Sequence, residues 1–281
     1  MINLGIMQGR LSPPKGNLIQ HFPLNGWEKE FKICKNLGLK SIEWVFENKD
    51  HKKNPIYNKK ELKNILKQID KHEVKVNSLI ADFFMENKLF NETREKVVKN
   101  IEILKLLIDN CKEVGIKTIE LPFVDNSSLK TLNNLKETRN NLIPILEICE
   151  KKEIFLSLET DLEPEKFKEF IESFFPIKIF VNFDMGNSAS LGFNPETEIQ
   201  TLGNYIINVH IKDRILNGST VPLGTGAVKF KTVFKKLKEI NYSGDFILQT
   251  ARLDLTNSKK YEKFETTIKK NIDYINQISH D

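Results

Sequence analysis

At 281 residues the chain has room for one large domain or two small ones, and 40% hydrophobic with 29% charged residues suits a soluble globular protein. The net charge is only +5, and much of the lysine falls in runs such as Asn58-Lys59-Lys60-Glu61 and Lys235-Lys236-Leu237-Lys238, spaced as solvated helix faces, so no nucleic-acid partner is expected. No apolar stretch approaches the ~20 residues needed to cross a bilayer, so no membrane partner is expected either.

In chain order two periods alternate. Ile2 to Met7 is a strand without the basic flank of a signal peptide, and the loop Gln8 to Pro14 is kept out of a helix by its prolines. Asn25 to Leu37 carries Trp27, Phe31, Cys34 and Leu37 at helical spacing and is closed by Gly38. Ser41 to Phe46 is the second strand and Lys59 to His72 the second helix. Val74 to Ala81 is strand three, followed by a long helix from Glu92 to Val114 that Gly115 ends. Lys117 to Leu121 is strand four, stopped by Pro122; Leu135 to Lys152 is mainly helix, which Pro144 should bend or restart. Strand five ends at Glu159, and Glu163-Pro164-Glu165 opens helix five with an acidic first turn and an early proline. Strand six ends at Asp184, strand seven at His210 and strand eight near Gln249; helices are expected at Pro195 to Leu202, Phe230 to Ile240 and Lys260 to Ile278.

Eight strand-then-helix units with no low-complexity linker demand parallel strands. That number in this length is the size of a (β/α)8 TIM barrel, an α/β fold expected here as a single domain over residues 1–281. A doubly wound open sheet is the structural rival, weakened because no Gly-x-Gly-x-x-Gly follows the first strand. Cys34, Cys111 and Cys149 are odd in number, far apart and set in helical patterns, so core thiols are expected and a cytoplasmic location with them.

Chemistry in such barrels sits at the carboxyl ends of the strands. Glu159, Asp184, His210 and Gln249 occupy those ends on four successive strands, at spacings of 25, 26 and 39 residues. Of five histidines, only His210 lies where a buried strand ends. Side chains at one level on neighbouring staves converge, and one nitrogen with several oxygens suits Mn²⁺, Mg²⁺, Co²⁺ or Zn²⁺. Singly, each of these residues has a structural alternative: Glu159 or Asp184 as a helix cap or a partner of Arg214 or Lys212, and His210 as a hydrogen-bonded core group.

Gly5-Ile6-Met7-Gln8-Gly9-Arg10-Leu11-Ser12, Ser157-Leu158-Glu159, Asp184-Met185-Gly186-Asn187, His210-Ile211-Lys212-Asp213-Arg214 and Pro222-Leu223-Gly224-Thr225-Gly226 together resemble the xylose isomerase-like TIM-barrel superfamily of sugar isomerases and epimerases, over the full chain. The ketose 3-epimerases and ribulose-5-phosphate 3-epimerases belong to that superfamily. The resemblance implies a divalent ion held by Glu159, Asp184 and His210. The family's last ligand is glutamate, and Gln249 stands in its place; its side-chain oxygen can ligate, but the amide cannot accept a proton.

The expected function is therefore a metal-dependent isomerase or epimerase of a small sugar or sugar phosphate, acting through an enediolate with Glu159 as base. With Gln249 neutral, aldose–ketose isomerisation is mechanistically easier than inversion at C3, which needs a second proton source such as Glu43, Asp82, Glu120 or a water. Lys212, Arg214 and Arg252 are expected to hold a phosphate or carboxylate at the mouth, with Arg10 near it, Trp44 offering a face to the sugar and Asn187 a hydrogen bond. A homodimer is the commonest assembly and is the one expected. Two rival functions are a decayed barrel that still binds sugar, and an AP-site endonuclease, whose histidine-rich three-zinc site this chain does not resemble.

Overall fold

The structure, a computed structural model, describes residues 2–13, 20–251 and 261–280. The eight expected strands are present as β1 (Asn3–Met7), β2 (Ser41–Val45), β3 (Ser78–Ile80), β4 (Thr118–Phe123), β5 (Phe155–Thr160), β6 (Phe180–Asp184), β7 (Ile206–Ile211) and β8 (Asp245–Leu248). They close into a TIM barrel in chain order, and the described pairings are parallel. The helices are α1 (Trp27–Asn36), α2 (Leu62–His72), the one-turn α3 (Phe83–Glu86), α4 (Arg94–Val114), α5 (Leu132–Lys152), α6 (Pro164–Glu172), the short α7 (Met185–Ser190), α8 (Pro195–Leu202), α9 (Phe230–Glu239) and α10 (Tyr261–His280). A two-stranded antiparallel hairpin, Asp213–Arg214 with Thr220–Val221, stands outside the barrel order.

Two compact units divide the chain. In the one formed by Met1–Glu43 and Phe183–Asp281, β1 lies between β8 and the start of β2, with Ile6 opposite both Leu248 and Ile42, and β8 pairs with β7 with Ile247 opposite His210. In the other, Trp44–Asn182, β3, β4 and β5 follow one another, with Glu120 opposite Ser157 and Pro122 opposite Glu159. Both units bury their strands on both faces: Ile6, Val209 and Leu248 in the first and Leu79, Ile119 and Leu158 in the second. That is the rule for parallel strands covered by helices.

Local chemistry accounts for the helix limits. The Thr93 hydroxyl accepts from the Lys96 N–H at 3.4 Å to open α4, and Gly115 ends it at φ 86°, a left-handed turn that costs a glycine little. The expectation for Pro122 is corrected, and of the two alternatives for Pro144 the one that made it the start of the helix is removed. β4 runs through Pro122 to Phe123, because the pairing with β3 ends at Glu120 and no neighbour on that side needs the missing N–H. α5 runs through Pro144 and starts before Leu135, because Thr131 caps it at the Asn134 N–H (3.1 Å) and the buried Leu142, Ile145, Leu146 and Cys149 hold the interrupted turn against the core.

Cys34, Cys111 and Cys149 are buried and free, and burial pushes the Cys34 and Cys149 thiols up to about 12, so all three are core residues. Among the described residues no helix is long and apolar enough to cross a membrane.

Candidate metal centre

Period-two alternation sets Asn208 and His210 on one face of β7, and Asn182 and Asp184 on one face of β6. His210 is fully buried, with Nε2 2.8 Å from Glu43 Oε2 of β2; Asn208 Nδ2 donates to the other Glu43 oxygen at 2.9 Å. A carboxylate only accepts, so Glu43 keeps the ring proton on Nε2 and leaves the Nδ1 lone pair facing Asp184 Oδ2 at 3.8 Å. This tautomer is assigned from the hydrogen-bond network.

Asp184 is buried and doubly engaged. Its Oδ1 accepts from the Asn187 N–H at 2.8 Å and so caps α7, while Oδ2 lies 2.7 Å from Lys212 Nζ. Burial pushes the carboxyl up, but the Lys212 ammonium beside it outweighs burial and holds it below the usual aspartate range. A depressed folded-state value stabilises the protein above the unfolded value of 3.8 and is lost as the pH falls below it. The melting temperature of metal-free protein should therefore exceed that of Asp184→Asn by a constant gap above about pH 5, narrowing below about pH 4. A gap that widened on acidification would refute the ion pair.

The Asp184–Asn187 and His210–Arg214 segments fit together residue by residue. Lys212 reaches Asp184 by passing over Gly186, where an added β-carbon would stand 2.8 Å from Lys212 Cγ, and its Nζ also donates to Gln249 Oε1 at 2.8 Å. The Asn187 side-chain oxygen accepts from Arg214 Nη1 at 2.8 Å, and Arg214 Nε donates to the Gly218 carbonyl at 2.9 Å. Asp213, fully buried, accepts from the N–H groups of Gly224 and Gly226 at 2.9 Å and of Val228 at 3.2 Å. That carboxylate ties the Pro222–Gly226 segment to the end of β7.

On β5, Glu159 is buried and accepts from Asn182 Nδ2 at 3.0 Å. Among the described residues, ligand atoms of Glu159, Asp184 and His210 lie within 4.8 Å of one another, and Glu43, Glu120 and His210 form a second such set. In the second set Glu43 already accepts from both His210 and Asn208. The first offers two carboxylates and an oriented imidazole lone pair, a donor set that fits Mn²⁺, Mg²⁺, Co²⁺ or Zn²⁺.

Of the residues expected to bind substrate, Lys212 stands beside Asp184, while Trp44, Arg10 and Arg214 are engaged within the fold. Trp44 is fully buried, and its indole N–H donates to Asn54 Oδ1 at 2.9 Å. Glu43 reaches inward to His210, so Trp44, one residue on, faces the layer behind the sheet and packs as core. Arg10 is buried, with Nε donating to the Thr250 carbonyl at 3.0 Å, and Arg214 is committed to Asn187 and Gly218. Arg252 lies outside the described residues. Glu43, Asn208 and Asp213 were not expected in supporting roles; the signal for Glu43 and Asn208 was one polar residue inside an apolar run, and Asp213, set between Lys212 and Arg214, carried no such signal.

Carboxylates and a histidine stand at the strand ends of a closed parallel barrel, the end where the chemistry of such barrels sits. The chain belongs to the xylose isomerase-like TIM barrel family, which it matches over residues 31–278. It is 22% identical over 231 residues to the L-ribulose-5-phosphate 3-epimerase UlaE of Escherichia coli O1:K1 / APEC, covering 79% of this chain and 81% of the relative. Among solved structures it is similar to a D-psicose 3-epimerase determined in the presence of D-fructose (TM-score 0.78, 14% identity, 100% of both chains). It is also similar to an IOLI protein with a bound zinc atom (TM-score 0.73, 18% identity, 99% of both chains).

Proposed function

We propose that the protein is a divalent-metal-dependent isomerase or epimerase of a small ketose or ketose phosphate, with Glu159 as the base. The observation that carries this is the buried set Glu159, Asp184 and His210, with the His210 tautomer held by Glu43. The sugar class is supported by the relatives named as ribulose-phosphate and psicose epimerases, and the metal by the zinc-bound neighbour.

Bound there, a divalent ion supplies a Lewis acid for the carbonyl and neighbouring hydroxyl oxygens of the ketose. Asn182 fixes the plane of the Glu159 carboxylate, which removes the proton from the carbon beside the carbonyl. Returning that proton to the adjacent carbon on the same face needs no second base, whereas inversion needs one. The neutral Gln249 cannot serve, and Glu43 is already engaged by His210 and Asn208. Unless Asp82, Glu120 or a water supplies the second proton, the 1,2-shift of an aldose–ketose isomerisation is therefore the favoured reaction.

Titrating metal-free protein with Mn²⁺ should give one ion per chain, and none in His210→Ala. A panel of ketoses and ketose phosphates in heavy water should then show deuterium entering the carbon beside the carbonyl for one member. A ketose that raises the melting temperature without exchanging would point instead to a sugar-binding barrel. No Mn²⁺ binding by the parent would end the metal reading.

A further inference from the structure

We infer that Gln249 does not ligate the metal but holds Lys212, whose ammonium is a fixed positive charge built into the site that lowers its affinity for cations. This rests on the metal reading above and assigns the two residues roles of their own.

Lys212 Nζ stands 2.7 Å from Asp184 Oδ2 and 2.8 Å from Gln249 Oε1, so one ammonium bridges an expected ligand and the only oxygen a glutamine could offer a metal. An ion ligated by that oxygen at about 2.1 Å would lie within roughly 5 Å of the ammonium, and two cations that close in a partly buried site repel strongly. The arrangement is also built in rather than incidental. The lysine side chain is only 12% exposed, and its stem passes where Gly186 has no β-carbon to obstruct it. Gln249 is held next to it by its own N–H, which donates to the Ile211 carbonyl at 3.0 Å. An amide at 249 accepts the ammonium's hydrogen bond without adding a negative charge. Glu159, Asp184 and Lys212 then leave the inner set with a single net negative charge, and metal affinity rises with ligand charge.

The metal must therefore share Asp184 with Lys212. This is tested by calorimetric Mn²⁺ titration of the metal-free, full-length protein beside Lys212→Met, Lys212→Gln and Gln249→Ala. Lys212→Gln keeps a donor for both oxygens and guards against a misfolded methionine variant. Both lysine variants should bind Mn²⁺ about tenfold more tightly or better, and Gln249→Ala should stay within about threefold of the parent or bind more tightly. If Gln249→Ala loses tenfold or more and the lysine variants gain nothing, Gln249 is a ligand and this inference alone fails. If the parent binds no Mn²⁺, the metal reading fails and takes this inference with it.

Discussion

Glu159→Gln should slow deuterium exchange into the ketose by about 10²–10⁴-fold, the range for removing a positioned general base. The substitution preserves shape: a glutamine oxygen can still accept from Asn182 Nδ2, which now stands 3.0 Å from the carboxylate, so β5 and β6 keep their contact. What disappears is the negative charge and the capacity to take a proton. The variant should also bind Mn²⁺ more weakly, so exchange is to be compared at saturating metal for each protein. Under those conditions, residual exchange within threefold of the parent would place the base elsewhere, with the buried Glu120 first in line.

The second large effect concerns a residue that acts through His210. Glu43→Gln should weaken Mn²⁺ binding by about 10–100-fold, as is typical when the partner of a ligating histidine is changed. Glu43 offers an oxygen to His210 Nε2 and another to Asn208 Nδ2. A glutamine has one oxygen for two donors, so His210 or Asn208 comes to face an amide NH₂. Where it is His210, the ring proton moves to Nδ1, into the ligand set. The ¹⁵N shifts of the His210 ring report that move directly, which separates a change of tautomer from general loosening. A variant whose tautomer had switched but whose Mn²⁺ affinity had not would break the link between Glu43 and the metal.

Much of this architecture is legible from local pattern. The strand ends at Glu159, Asp184 and His210 follow from short apolar runs, and α8 from Pro195 and the acidic turn after it. Less legible were features that depend on which way a strand faces or on distant partners. Glu43 and Trp44 are neighbours on β2, and without the phase of that strand the aromatic residue drew attention to the mouth while the acid beside it was the one pointing in. The partner that sets the phase, His210, is 167 residues away. Pro122 misled because a proline is costly only where a neighbouring strand needs its N–H, and none does there. The Lys212–Gln249 pair was hidden for a different reason: taken alone, Lys212 suits a phosphate at the mouth and Gln249 a metal-ligand position, and only their 2.8 Å contact turns them toward each other.

The place of β1 has a bearing on how the chain is made. Asn3–Met7 pairs on one side with β2, about forty residues on, and on the other with β8, which starts at Asp245. During translation β1 and β2 are available almost at once, but the strand that covers the far edge of β1 and the edge of β7 is the last of the eight to leave the ribosome. Until it does, two rows of backbone N–H and C=O groups stand open on a nascent chain already rich in apolar strands, the state in which edge-to-edge association competes with folding. Closure of the barrel therefore waits on the four residues Asp245–Leu248, which pair with β1 and β7 at once.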